Sequence, residues 1–119
     1  MRVISIIGTR PQYIKLKPLY DRLKQNARIS HKVYDTRQHY SSQMSDIFQQ
    51  QFGLETHFLN TDVSTPTALL TSTIQCVEKV ILKEEPDIIM VYGDTNSTLG
   101  AALAANKGNV PVFHIEAGV

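Results

Sequence analysis

The sequence predicts an α/β fold in which a Rossmann-like parallel sheet is flanked by helices. Two apolar runs that are rich in β-branched residues, Val3–Ile7 and Asp87–Gly93, are typical of strands buried on both faces of a sheet. Segments with helical periodicity alternate with these and the other predicted strands, and such alternation indicates right-handed crossovers between parallel strands. We therefore expect the strand order 3-2-1-4-5, which is half of a doubly wound fold.

The first half of the chain contains two predicted strands, each followed by a helix. Val3–Ile7 leads into a helix over Pro11–Gln25, where Pro18 predicts a kink or a restart because proline lacks the backbone N–H. The second strand, Ile29–Thr36, precedes an amphipathic helix over Tyr40–Gly53, whose final glycine suits a helix C-terminus. The predicted apolar side of the first helix consists of Ile14, Leu16, Leu19, Tyr20 and Leu23.

The second half begins with a short strand, His57–Asn60, followed by the clearest helix of the chain, Pro66–Glu85. Hydroxyl residues before its proline can cap that helix. After strand four, Thr95–Gly108 forms a helix whose Gly100 and alanines permit very close packing on the sheet, and Pro111–Ile115 forms the fifth strand. The predicted apolar face of the long helix consists of Leu70, Ile74, Val77 and Ile81.

Length and composition indicate one globular domain. The chain has 119 residues, of which 42% are hydrophobic and 19% charged, with a net charge of +1. This balance argues against disorder and against a strongly charged surface for nucleic acid. The single cysteine, Cys76, cannot form an internal disulfide, and no apolar run is long enough to span a bilayer. We expect a cytoplasmic protein that binds neither nucleic acid nor membrane.

Ligands of doubly wound sheets bind beyond the carboxyl ends of the strands, where the strand order reverses. We call the residues that follow these strand ends the rim. The predicted reversal lies between strands one and four, so the topology brings Arg10, Asp94 and Glu116 to the rim. Arg10, beside a helix N-terminus, suits a phosphate or a surface ion pair equally well. Lys15 could assist it or be simply solvated.

Asp94 and Glu116 are candidates for general acid–base chemistry, because neighbouring carboxylates push their pKa values apart. Asp94 could equally cap the helix that follows it. Gln38 and His39 could touch a ligand or only hydrogen-bond within their loop. The four histidines lack ligand spacing, so we predict no metal site, and His114 is interpreted as a supporting or core residue.

Known phosphate-binding motifs do not account for the first loop. The segment GTRPQ contains one glycine, so it is not the G-x-G-x-x-G pattern of dinucleotide-binding proteins. No Gly-Lys-Ser/Thr follows it either, which disfavours an ordinary P-loop NTPase.

Four segments together resemble the start of non-hydrolysing UDP-N-acetylglucosamine 2-epimerases. They are GTRPQYIK at 8–15, RQH at 37–39, VYGDTNSTLGAALAA at 91–105 and PVFHIEAG at 111–118. Their order and spacing match over almost the whole chain. One residue departs from the family pattern: Gln12 stands where the family usually has glutamate.

The resemblance implies the first domain of a glycosyltransferase-B-like enzyme, with residues 1–119 truncated and the C-terminal nucleotide-binding domain absent. It implies interconversion of UDP-GlcNAc and UDP-ManNAc by elimination and re-addition of UDP, without a cofactor, in a homodimer when full length. By match to the family motifs, Asp94 and Glu116 would be catalytic carboxylates, and Arg10 and Lys15 substrate-binding cations. The same match places Gln38 and His39 near a second, activating sugar-nucleotide site.

Two other hypotheses remain open from the sequence. A hydrolysing relative would share these motifs but release ManNAc and UDP. A non-catalytic sugar-nucleotide-binding or interaction domain would require that the protein end at Val119. We expect instead that the chain is a fragment, inactive alone, because a further helix should cover the sheet after strand five.

Overall fold

The described residues, 1–38 and 50–115 of a computed structural model, form a five-stranded parallel sheet with helices on both faces. The strand order is 3-2-1-4-5, as predicted, and every strand pair is parallel. The elements in chain order are β1 (Arg2–Ile7), α1 (Arg10–Lys24), β2 (Ser30–Asp35), β3 (Thr56–Phe58), α2 (Pro66–Glu84), β4 (Ile88–Tyr92), α3 (Asn96–Lys107) and β5 (Val112–Ile115).

Two hydrophobic cores lie on opposite faces of this sheet. Side chains of a strand alternate between the faces, so β1 sends Ile4 and Ile6 to one core and Val3 and Ile7 to the other. The first core is completed by α2 and α3, and the second by α1. Because β1 contributes to both cores and lies between β2 and β4, the residues that follow it emerge at the middle of the sheet.

Helix α1 narrows one prediction, a kink or a restart at Pro18, and corrects another. It continues through Pro18 without a restart, and Ile14, predicted on the apolar side, is 53% exposed. Proline removes the hydrogen bond to the residue four positions earlier, which here is Ile14 itself. Both residues face solvent, where water can satisfy the Ile14 carbonyl. The side chains that α1 buries are those of Gln12, Tyr13, Leu16 and Tyr20.

Helix α2 packs against α3 through an unusually close approach. A Cβ at Gly100 would lie 2.9 Å from Thr73 Cγ2 and 3.2 Å from the Leu70 carbonyl oxygen, so only glycine fits there. The close packing of Gly100 was predicted against the sheet, but it occurs against α2, and it buries Thr73. The predicted apolar stripe is therefore rotated by about one residue, and the side chains buried from α2 are those of Leu69, Thr73, Val77 and Val80.

Other predicted boundaries differ slightly or fall outside the described residues. Strand β3 covers Thr56–Phe58 rather than His57–Asn60. Most of the predicted helix at Tyr40–Gly53 lies outside the described residues, although residues 50–52 are helical and Gly53 has a left-handed φ of 65°. No helix within residues 1–38 and 50–115 combines the length and apolarity needed to cross a membrane.

Candidate active site

The rim at the middle of the sheet is formed by the loops that follow β1 and β4. Gly8 and Thr9 connect β1 to α1, and residues 93–95 connect β4 to α3. Gly93 turns the second loop with a left-handed φ of 72°, which glycine adopts without steric cost. These two loops are adjacent because β1 and β4 are paired in the sheet.

The side-chain amide of Gln12 joins the two loops. Gln12 is 3% exposed, and its Oε1 accepts a hydrogen bond of 2.7 Å from the Gly8 N–H. Its Nε2 donates to the Tyr92 carbonyl oxygen at 2.6 Å and to Thr95 Oγ1 at 3.1 Å, with a longer contact of 3.4 Å to Thr98 Oγ1. We call this set of hydrogen bonds the Gln12 clamp. It links residues about 80 positions apart in sequence.

The two predicted substrate-binding cations both belong to α1. Arg10 is the first residue of the helix and is exposed. The Lys15 ammonium reaches the neighbouring loop: its Nζ lies 4.0 Å from the position that a Cβ of Gly93 would take. Arg10 and Lys15 therefore bring positive charge to the rim beside the Gln12 clamp, where an anionic ligand would be favoured.

Asp94 does not cap α3. The cap is Thr95, whose Oγ1 accepts from the Thr98 N–H at 3.3 Å, so the capping interpretation of Asp94 is wrong. The Asp94 side chain is exposed on the rim between Gly93 and Thr95. His114, on the neighbouring strand β5, makes a short hydrogen bond through Nε2 to the Gly93 carbonyl oxygen. His114 is exposed rather than core, and it supports the loop that carries Asp94.

Gln38 lies at the other side of the β1 loop. Its Oε1 accepts a 2.6 Å hydrogen bond from Ser97 Oγ, which in turn lies 2.6 Å from Thr36 Oγ1. Thr36 and Ser97 are buried, and both hydroxyl groups pack against Gly8. The Gln38 side chain is thus fixed to α3 by at least one of its polar atoms. Arg37 points elsewhere, because its guanidinium lies over the Phe58 ring at 4.4 Å from the centroid.

A second buried polar chain lies beneath the rim. The Tyr92 hydroxyl is 2.8 Å from Ser5 Oγ, and Ser5 Oγ is 2.7 Å from His31 Nε2. Burial disfavours the charged form of each group. It lowers the pKa of His31 to about 4 and raises the pKa of Tyr92 to about 12. Both side chains are consequently neutral at physiological pH, and Tyr92 connects this chain to the Gln12 clamp through its carbonyl.

Two predicted site residues, His39 and Glu116, lie outside the described residues. Arg10 and Asp94 lie on the rim, as the topology predicted, and Lys15 and Gln38 lie beside it. Within residues 1–38 and 50–115, no three His, Cys, Asp or Glu side chains converge as metal ligands would.

The sequence signal for the polar residues that organise the rim was weak. Gln12 differs from a family pattern, but its burial results from contacts with Tyr92, Thr95 and Thr98, which are distant in sequence. Thr36, Ser97 and Thr98 were not identified as site residues. The available signal is the cluster of hydroxyl and amide residues directly after strand four, TNST, which predicts both a helix start and a position on the rim.

The parallel sheet with its strand-order reversal defines a doubly wound α/β protein, a class whose ligands bind at the edge where the cations, the carboxylate and the buried amide lie. The comparisons with known proteins make the assignment specific. A family model of UDP-N-acetylglucosamine 2-epimerases matches residues 21–119, and the chain belongs to this family.

Three relatives illustrate the similarity. The chain is 40% identical to UDP-2,3-diacetamido-2,3-dideoxy-D-glucuronate 2-epimerase of Pseudomonas aeruginosa, over the whole chain and 34% of that protein. The UDP-GlcNAc 2-epimerase of Neisseria meningitidis, solved with UDP-GlcNAc, superposes with a TM-score of 0.91 at 34% identity, covering 100% of the chain and 33% of that structure. The enzyme of Methanocaldococcus jannaschii, solved with UDP-GlcNAc and UDP, gives 0.90 at 39% identity, covering 99% and 33%. The chain therefore spans about a third of the length of these relatives.

Proposed function

We propose that these 119 residues form the first domain of a non-hydrolysing UDP-N-acetylglucosamine 2-epimerase, which interconverts UDP-GlcNAc and UDP-ManNAc. The observation that carries the proposal is the Gln12 clamp. It holds the loop that leads to Arg10 against the loop that contains Asp94, in a chain that belongs to the epimerase family. Because the chain spans about a third of its relatives, the proposed activity is that of an intact, two-domain protein.

The reaction that we assign has two steps. A base removes the C2 proton while the C1–O bond to UDP breaks, which leaves a C1=C2 double bond in 2-acetamidoglucal. UDP then adds back to C1 as a proton is delivered to the opposite face of C2. Such a reaction needs carboxylates to move the proton and cations to stabilise the departing diphosphate.

The residues of the rim supply both kinds of group. We assign the proton transfers to Asp94 and Glu116 and the stabilisation of the diphosphate to Arg10 and Lys15. Exposure of Asp94 and Arg10 on the rim leaves both side chains accessible to a ligand. Gln38 and His39 remain candidates for an activating sugar-nucleotide site. The cytoplasmic location and the homodimer remain predictions.

The direct test is to incubate the intact protein with UDP-GlcNAc in D2O and to follow the products by NMR. Reversible formation of UDP-ManNAc with deuterium at C2 is the expected result, since the proton that is removed exchanges with solvent. Free ManNAc and UDP in place of UDP-ManNAc would establish the hydrolysing reaction instead. Binding of UDP-GlcNAc without any turnover would favour a non-catalytic domain.

A second candidate substrate is favoured by the 40% identity to the Pseudomonas aeruginosa enzyme. That enzyme's named substrate is also a UDP-linked 2-acetamido sugar, but it carries a C6 carboxylate and a second acetamido group. The chemistry at C1 and C2 is the same for both substrates, so the rim residues would have the same roles. The ratio of kcat/KM for the two sugar nucleotides on the intact protein decides between them.

A further inference from the structure

We propose that Gln12 is a positioning residue for this reaction, one that fixes the distance between the loop leading to Arg10 and the loop carrying Asp94. The inference rests on the proposed function and goes beyond it, because it assigns a role to a residue that is buried beneath the rim. Three observations support it: the burial of Gln12, the polarity of its partners, and the exposure of the groups that it would position.

The burial of Gln12 makes its hydrogen bonds costly to lose. The side chain is 3% exposed, so water cannot replace its partners. Its acceptor oxygen holds the Gly8 N–H at 2.7 Å and its donor nitrogen holds the Tyr92 carbonyl at 2.6 Å. Together these contacts tie the end of β1 to the end of β4 beyond the last paired residues of the two strands.

The partners of Gln12 require one donor and one acceptor on the same group. Gly8 N–H can only donate, and the Tyr92 carbonyl can only accept. The Tyr92 oxygen also accepts from Thr98 Oγ1 at 2.7 Å. A primary amide meets both needs at every pH. A carboxyl group meets them only when it is protonated, since an ionised carboxylate would face the Tyr92 oxygen without a hydrogen between them.

The two side chains that Gln12 would position are not buried as Gln12 is. Arg10 and Asp94 are exposed, so the backbone of their loops sets where the two side chains begin. Arg10 follows Gly8 by two residues, and Asp94 lies between the Tyr92 carbonyl and Thr95, two partners of the clamp. A displacement of about 1 Å between catalytic groups can cost on the order of 100-fold in rate.

Charged residues near Gln12 determine how a carboxyl group at this position would titrate. Arg10 and Asp94 lie on the two linked loops, and Lys15 Nζ lies beside Gly93, as Gln12 Nε2 does. The remaining partners, from β4 and α3, are neutral. Lys15 and Arg10 favour an ionised carboxylate and so shift its titration to lower pH, but solvent screens the exposed Arg10. Burial at 3% exposure and the Tyr92 carbonyl act directly on the carboxyl group, so the net shift is to higher pH.

The test uses the intact protein with Gln12→Glu, Gln12→Met and a matched control, Gln25→Glu. The control adds the same charge to the same helix, at the exposed C-cap of α1. Rates of sugar-nucleotide epimerisation are measured from about pH 5.5 to about pH 8.5, where an introduced carboxyl group with a raised pKa titrates. Thermal unfolding is recorded over the same range.

We expect Gln12→Met, which retains the shape but loses the hydrogen bonds, to lower kcat by about 10-fold or more at every pH, with KM changed less than about 3-fold. Gln12→Glu should approach the wild-type kcat at the acidic end and fall by about 10-fold toward the alkaline end. Gln25→Glu should follow the wild type throughout.

A constant ratio of Gln12→Glu to wild-type kcat across the pH range would overturn the inference. So would a Gln12→Met protein that melts at lower temperature but retains full kcat while folded, because that result describes a purely structural residue. The proposed function fails separately: in that case the wild-type intact protein would turn over neither candidate sugar nucleotide.

Discussion

A methyl group added at Gly8 should destabilise the protein because it would enter a buried hydroxyl pair. A Cβ at this position would overlap Thr36 Oγ1 and lie 2.8 Å from Ser97 Oγ and 3.1 Å from Gln38 Cβ. Thr36 and Ser97 are linked by a 2.6 Å hydrogen bond and are both buried, so neither side chain can turn toward solvent. The Gly8→Ala substitution must therefore displace the β1 loop or break that hydrogen bond.

The expected cost combines two contributions. Overpacking of a filled interior costs about 1–3 kcal/mol, and the lost hydrogen bond adds about 1 kcal/mol, which gives about 2–4 kcal/mol of unfolding free energy. Urea unfolding followed by circular dichroism measures this loss as a decrease in the midpoint of about 1 M or more. Gly108→Ala is the matched control, since a Cβ there would meet its nearest atoms at 3.4 Å and should change the free energy by no more than about 0.5 kcal/mol.

A second substitution tests whether the Thr36 hydroxyl causes the loss of stability. In a Thr36→Ala background the hydroxyl that a Gly8 Cβ would overlap is absent, so Gly8→Ala should cost about 1 kcal/mol less than it does alone. Equal midpoints for Gly8→Ala and Gly108→Ala, or the same cost with and without Thr36, would refute the packing described for this loop.

Three further predictions concern the rim and the chain beneath it. Asp94→Asn should lower kcat by about 100-fold or more without changing the melting temperature, because Asp94 is exposed and caps no helix; an equal fall in stability would argue against a catalytic role. Arg10→Ala should raise the Kd for UDP in isothermal titration by about 10-fold, and unchanged affinity would remove Arg10 from the site. The lowered pKa of His31 means that, between its ordinary value of 6.5 and about 4, the unfolded chain binds a proton that the folded protein does not. Stability should therefore fall as pH falls through this range, and the slope should be shallower in His31→Gln, as measured by urea unfolding at several pH values.

The sequence was sufficient to predict the topology because β1 and β4 carry apolar runs rich in β-branched residues, and because segments with helical patterns alternate with the predicted strands. The sequence was less informative where solvent or a neighbouring helix decides whether a helix continues or which side chains it buries. Pro18 argued against a continuous helix, yet its missing hydrogen bond falls on the exposed side of α1. Thr73 did not count as apolar, yet the close approach of Gly100 buries it and rotates the face that α2 presents.

The candidate site was also only partly predictable from the sequence. The strand order alone placed Arg10 and Asp94 on one rim, because parallel strands end at the same edge. The role of Gln12 could not be predicted, since its donor and acceptor partners are a carbonyl and an N–H whose directions depend on how two loops pack. Almost every residue has the same backbone N–H and carbonyl groups. A side chain that hydrogen-bonds to them therefore has no recognisable sequence pattern.

The separation of the two cores also determines what optical measurements on this protein report. The sequence contains five tyrosines and no tryptophan, so the near-ultraviolet signal is dominated by tyrosine. Tyr13, Tyr20 and Tyr92 lie in the core beneath α1, and Tyr34 lies in the other core. Circular dichroism in the far ultraviolet is weighted toward α2 and α3, which hold most of the helical residues described. Unfolding curves from the two wavelength ranges thus sample opposite faces of the sheet. A difference between their midpoints would show that the helices and core on one face unfold before those on the other.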